Sequence, residues 1–203
     1  MALKTKIERP ARRGDTRERL IDAAIAELAE NGFSAAKGRS IAARAGVTSG
    51  PLQYHFPTTI DLYAAVVDRM HAGDDSKARK ALADGEPPAV RLRRLIEVFI
   101  EGCGSPHHIA MIELKLACRG DARLRDAVGA KIVAYEKRVD ADWVAHFADS
   151  GLSAKKLKEL RTLLAAMARG LGVAYAFGDS RRNRKALADL AADVFGAALD
   201  EKP

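Results

Sequence analysis

Helical periodicity is the feature that most constrains this chain. Apolar residues recur every three or four positions along most of its 203 residues. The longest run holds Leu124, Val128, Ile132, Tyr135, Val139, Trp143 and Phe147, about seven turns of one helix face. No segment shows the two-residue alternation of a half-buried strand, and no internal repeat is present. Composition agrees: alanine, leucine, arginine and lysine dominate and aromatics are 5%, a mixture that favours helix over sheet. The expected fold class is all-α. The length allows one large domain or two small ones, with enough chain to bury a core.

Punctuation divides the pattern. Asp15 is the expected N-cap of the first helix, with Glu18 three residues on as in a capping box. Leu20, Ile21, Ala24, Ile25 and Leu28 give its apolar face, and Asn31-Gly32 its stop. A short helix is expected over Lys37 to Ala45, then a tight turn at Gly46-Val47-Thr48. A second short helix follows over Ser49 to His55, where Pro51 is tolerated because a first turn needs no amide donors. Phe56-Pro57 ends it. A helix over Thr59 to His71 comes next, and Gly73, Gly85 and Pro87-Pro88 mark a looser connection. Later helices are expected around Leu92 to Cys103, His107 to Cys118, Leu124 to Phe147, 153–177 and 183–200, with breaks at Gly104-Ser105-Pro106, Gly120, Asp149-Ser150-Gly151 and Gly178-Asp179-Ser180.

Two short helices joined by a glycine-containing turn make a helix-turn-helix. The second helix of such a unit enters a major groove and reads base edges with polar side chains near its start. Leu52 and Phe56, four apart, anchor Ser49 to His55 on one side. Thr48, Ser49, Gln53 and Tyr54 are left on sides free to meet DNA, and glutamine suits a bidentate contact with adenine. A solvated helix end with a half-buried tyrosine is the plainer reading of the same spacing.

Three stretches, "RLIDAAIAELAENGF", "SIAARAGVTSGPLQYHF" and "DLYAAVV", resemble the DNA-binding domain of TetR-family transcriptional regulators over residues 15–70. The resemblance implies a three-helix DNA-binding domain over 15–58 after a flexible basic arm (1–14), then a helical ligand-binding and dimerisation domain over 59–203, with helix 59–72 connecting the two. It assigns DNA contacts to Thr48, Ser49, Gly50, Gln53 and Tyr54, and places Arg39 within reach of DNA. His55 either supports the end of the recognition helix or touches a phosphate, and Arg44 either reaches backbone or is solvated. The chain departs from the family in three places. Gln53 stands where tyrosine is usual, Thr59 where lysine is common, and Lys37-Gly38 where a Thr-Val pair usually opens the second helix. Gly38 should weaken that helix by roughly 1 kcal/mol relative to alanine, and Lys37 is a candidate replacement phosphate contact. Arginines of the arm either track phosphates or enter a minor groove, or the arm is a solubilising tail.

For the remaining chain the resemblance implies a homodimer through the last two helices, with Ala165, Ala166, Ala168, Gly170 and Gly172 keeping one stretch slim and Leu187, Leu190, Val194 and Leu199 supplying apolar surface. Two recognition helices about 34–36 Å apart then match a palindromic double-stranded operator. It also implies a small-molecule pocket in the bundle. Candidate lining residues are Phe99, His107, Met111, Glu113, Tyr135, Trp143, Met167 and Tyr175, and their aromatic and methionine content suggests a mainly apolar effector. Each reads more readily as core than as a ligand contact.

Other classes find little support. His107-His108 with Cys103 or Cys118 has no recognised metal spacing, Asp142 and His146 at i, i+4 read as a surface pair, and Gly102-Cys103-Gly104 lacks the strand-to-helix context of a phosphate loop. No enzyme, cofactor or metal site is expected. Two distant cysteines exclude a disulfide framework. The charged N-terminus is no signal peptide, and no stretch approaches the ~18 apolar residues of a membrane span. A cytoplasmic protein is expected, and a net charge of +7 fits an anionic partner. The rival reading is a helical small-molecule sensor or adaptor whose operator binding has decayed, suggested by Gln53 and Thr59.

Overall fold

The computed structural model describes residues 13–82, 85–178 and 184–200, and every regular element among them is helical. In order these are α1 (Arg13–Ala35), α2 (Gly38–Arg44), α3 (Ser49–His55), α4 (Thr59–Ala81), α5 (Pro88–Gly102), α6 (Pro106–Ala117) and the short α7 (Ala122–Leu124). A π-helical turn, Arg125–Gly129, leads into α8 (Ala130–His146), and a 3-10 turn, Ala148–Ser150, precedes α9 (Ala154–Ala176) and α10 (Arg184–Asp200). None of these helices is long and apolar enough to cross a membrane.

Side-chain caps set several of the starts. The Thr58 hydroxyl accepts the Asp61 N–H at 3.2 Å while the Asp61 carboxylate accepts the Thr58 N–H at 2.9 Å, a reciprocal box opening α4. Ser105 and Ser153 accept the N–H three residues ahead at the starts of α6 and α9, satisfying donors the helix itself cannot.

Three expectations are corrected, and the stop at Asn31-Gly32 is met. Asp15 is not the N-cap of α1, which already includes Arg13 and Gly14. Asn31-Gly32 does stop the first helical run, as expected: Gly32 takes φ 75°, ψ 170°, and one further turn follows the kink to Ala35. Gly73 does not end α4, which continues to Ala81. A helical glycine costs only about 1 kcal/mol against alanine, and burying Ala78, Ala81 and Leu82 further on offsets it. The long run around Val128 is interrupted by the π turn. The basic arm lies outside the described residues up to position 12, as do Asp179 and Ser180 of the expected last turn.

Apolar residues gather in two clusters. One joins α1 to α4 with α6 and with Leu124, Val128 and Ile132. The other joins the end of α4 with α5, Trp143, Phe147, α9 and α10. Leu20, Ile21, Leu28, Ile41 and Leu62 are completely enclosed or nearly so, each stabilising by roughly 1.5–3 kcal/mol. α4 contributes to both clusters, α1 packs along α6, and α10 packs along α5.

Candidate nucleic-acid interface and effector cavity

The α2–α3 turn is closed by backbone bonds, Gly46 N–H to the Ala43 carbonyl and Val47 N–H to the Ala42 carbonyl, both 3.0 Å. Arg19 of α1 donates to the Ala45 carbonyl and pins the turn from below. No sequence signal singles out Arg19. Leu52 and Phe56 are buried, 9% and 4% exposed, so α3 is anchored on the side expected. That leaves Thr48, Ser49, Gly50, Gln53 and Tyr54 exposed, Tyr54 at 66%. Thr48 is the N-cap of α3 and its side chain makes no capping bond. His55 is half-buried, with the Tyr54 ring edge-on at 5.1 Å. Lys37 and Arg39 are exposed at the start of α2, the Lys37 ammonium lying 5.0 Å from the centre of the Phe33 ring.

Gly38 has a packing reason. A Cβ there would come within 3.2 Å of Leu52 Cδ2 and 3.4 Å of Thr59 Oγ1, so α2 begins hard against α3 and α4. Arg44 spans Glu27 at 2.7 Å and Glu30 at 2.5 Å, which makes it a strut between α2 and α1. Hydrogen bonds from Arg44 and then Asn31 hold the Glu27 carboxyl below its ordinary range.

A cavity of about 640 Å3 opens between α4, α5, α6, α8 and α9. Five of the eight expected effector residues line it: Phe99, His107, Met111, Tyr135 and Trp143. The other three are placed elsewhere. Glu113 accepts the Phe33 N–H at 2.9 Å, satisfying the donor freed by the α1 kink. Met167 packs against the second apolar cluster. Tyr175 presses on Gly104 and lies under the Arg184 guanidinium, 4.4 Å from its ring centre.

His71, Asp74 and Asp75 line the cavity too. They lie at or beyond the point where Gly73 was expected to end α4; continued at helical spacing, His71, Asp74, Asp75 and Ala78 share a face. The wall is more polar than expected. Asp75 accepts from the Tyr135 hydroxyl at 3.1 Å and from Arg138 at 2.7 Å. Lys115 pairs with Glu136 at 2.6 Å. The His71 ring stacks on Tyr135 with centres 3.6 Å apart. Burial pushes His71 down to about 4 and lowers His107 and His108 as well, so desolvation favours neutral rings at pH 7. Asp74 is exposed to the open cavity, but the protein around it raises its carboxyl to about 6 by desolvation. Four of the chain's five histidines and its single tryptophan line this space.

The outer faces of α9 and α10 expose Leu163, Val173, Leu190 and Val194, with Phe177 just beyond α9 at 87% exposure. Three residues expected to serve the dimer face inward instead. Ala168 is buried beside the cavity, Leu199 is buried in the second cluster, and Gly172 admits the His108 ring, whose Nε2 lies 2.4 Å from where a Cβ would stand.

The model of bacterial regulatory proteins of the tetR family matches residues 20–66. The HTH-type transcriptional activator FasR of Mycolicibacterium smegmatis is 31% identical over 156 residues, 76% of this chain and 69% of that one. The HTH-type transcriptional regulator CymR of Pseudomonas putida is 24% identical over 159 residues, 78% of each chain. A solved transcriptional regulator from Rhodococcus sp. Rha1 superposes with a TM-score of 0.72 at 20% identity, covering 90% of this chain and 95% of that one.

Proposed function

The chain belongs to the TetR family of bacterial regulatory proteins, and from that premise we propose that it is a repressor released from a palindromic operator by a small molecule held in the α4–α9 cavity. Regulators of this family bind DNA and small-molecule effectors, typically as dimers. The observation that carries the reading is one continuous helix. α4 begins with Thr59 beside α2 and ends as a wall of the cavity. Residues 15–58 form the DNA-binding domain, residues 59–203 bind effector and dimerise, and the protein works in the cytoplasm. Thr48, Ser49, Gly50, Gln53 and Tyr54 meet bases or phosphates, Lys37, Arg39 and His55 meet phosphates, and Arg44 is a strut. Phe99, His107, Met111, Tyr135 and Trp143 meet the effector. An effector acts by preferring one separation of the two reading heads over another.

The test is selection of genomic fragments by the purified protein at about 150 mM salt, followed by sequencing and by screening for compounds that release the selected site. A shared palindrome, lost from the protein on effector addition, is expected. No enrichment by a folded dimer would leave the sensor or adaptor reading in its place. Enrichment with effector-strengthened binding would reverse the sign of regulation.

A further inference from the structure

We propose that Glu113, carried on the cavity wall α6, is a positioning residue for operator contact: its carboxylate holds the α1–α2 corner so that Lys37 and Arg39 meet phosphates. The inference rests on the chain gripping an operator through Lys37 and Arg39, and adds what sets those two cations in place.

The corner does not hold itself. Gly32 stops the first run of α1 at φ 75°, ψ 170°, and one turn follows to Ala35. The Ala36 N–H reaches back across that turn to the Gly32 carbonyl at 3.2 Å. Fixing a single turn costs more conformational entropy than its bonds offset. Two longer helices supply the difference. Glu113 of α6 accepts the Phe33 N–H at 2.9 Å, and the same oxygen lies 3.4 Å from where a Gly32 Cβ would stand. Tyr63 of α4, 3% exposed, donates its hydroxyl to the Ala36 carbonyl. The corner is thus gripped by an amide at one end and a carbonyl at the other. Lys37 follows at once, its ammonium 5.0 Å from the centre of the Phe33 ring, which itself meets the Tyr63 ring at 5.5 Å. The Ser40 hydroxyl donates to the Ala35 carbonyl at 2.8 Å, tying the start of α2, and with it Arg39, to the same corner.

Most of what joins α6 to α1 could slide. Ala110 and Leu114 of α6 are enclosed in the first apolar cluster with the α1 side chains, and such contacts have no preferred direction. Among the described residues the Glu113 bond is the one hydrogen bond between the two helices. It is charge-assisted, and it is lost once the atoms separate beyond about 3.5 Å. The other face of α6 carries His107, His108, Met111, Ile112 and Lys115 along the cavity. One helix, about 10–12 Å across, therefore stands between the void and the corner, and α6 is a second connection beside α4. The Glu113 charge by itself opposes phosphate, so a part in DNA binding comes from where its oxygen sits rather than from its sign.

The experiment separates position from charge. Glu113→Asp keeps the charge and withdraws the oxygen by one methylene. Glu113→Gln removes the charge and leaves a carbonyl oxygen within reach of the Phe33 N–H. Full-length protein of each is tested on a genomic fragment selected by the wild type, with helical spectra and sedimentation to check that fold and association persist. Glu113→Asp is expected to bind about tenfold more weakly, with a salt slope shallower by about one or two phosphate contacts. Glu113→Gln should bind within about threefold of the wild type. Exchange of the Phe33 amide, followed by NMR without DNA, should quicken about tenfold in Glu113→Asp and stay slow in Glu113→Gln. Added to Lys37→Ala with Arg39→Ala, Glu113→Asp should weaken binding no further, because it acts through those cations. Wild-type binding in Glu113→Asp, equal weakening by both Glu113 variants, additive losses in the combined variant, or wild-type binding after Lys37→Ala with Arg39→Ala each overturns the proposal. A wild type that selects no fragment while its Phe33 amide responds as expected would overturn the operator reading, and the phosphate role with it, while leaving the brace.

Discussion

Single residues on the reading head divide into those that hold and those that touch, and the two kinds fail differently. Gln53 is exposed on α3 and has the amide geometry that reads adenine. Gln53→Ala should reduce discrimination at one operator position by about 1–3 kcal/mol without changing stability. Binding to the operator and to a series of single-base variants measures this, and an unaltered ranking removes Gln53 from readout. Arg44 holds. Its bonds depress the Glu27 carboxyl, so their stabilisation is present above the unfolded carboxylate value of about 4.3 and is lost as pH falls through the folded value. Arg44→Ala should lower the urea midpoint clearly at pH 7 and by progressively less as pH falls below the unfolded carboxylate value, and leave the salt slope of DNA binding unchanged. A flattened slope would reassign Arg44 to phosphate. The sequence displayed the exposed set on α3 because Leu52 and Phe56, four apart, fix its rotation. It could not display Arg19 or Glu113, whose partners are backbone groups 26 and 80 positions away.

Helices were legible where apolar period and capping agree, as at Ser49–His55, which matches α3 to the residue. They were misread where one glycine was given more weight than a whole face. Gly73 costs little in a helix whose next turns are buried, and truncating α4 there hid Asp74 and Asp75. Gly104, by contrast, does set a boundary. It lies between α5 and α6 at φ 71°, and a Cβ would stand 2.6 Å from the Cβ of Tyr175 on α9. Both the left-handed backbone and the close approach exclude a side chain. Gly104→Ala should destabilise by about 2–3 kcal/mol, read as a fall of several degrees in Tm for a chain of this size. A change under about 1 °C would show that the α5–α6 corner yields freely.

At the scale of the molecule, an apolar surface remains that the described residues do not cover. Leu163 and Val173 on α9, Leu190 and Val194 on α10, and Phe177 beyond α9 are 41–87% exposed, more large apolar side chains than a monomer usually leaves together. The neighbouring inward faces are spent within the chain, since Ala168 and Leu199 are buried and Gly172 takes the His108 ring. The family resemblance, not the helical period, is what implies which helices dimerise. It did not foretell which face, because small residues at both faces read alike until His108 is seen occupying Gly172. Two negative charges introduced by Leu190→Glu with Val194→Glu lie on the outward face and leave Phe195 and Leu199 buried, so the fold should persist while self-association fails. Sedimentation should then give a monomer with an unchanged helical spectrum. Binding to a full palindrome should weaken by about 100-fold or more, because the second half-site no longer adds an intramolecular contact, while binding to a single half-site stays as in the wild type. A double variant that remains dimeric would place the two-fold interface elsewhere. One that becomes monomeric yet binds the palindrome unweakened would mean that the reading heads act independently, and an effector could then not work by setting their separation.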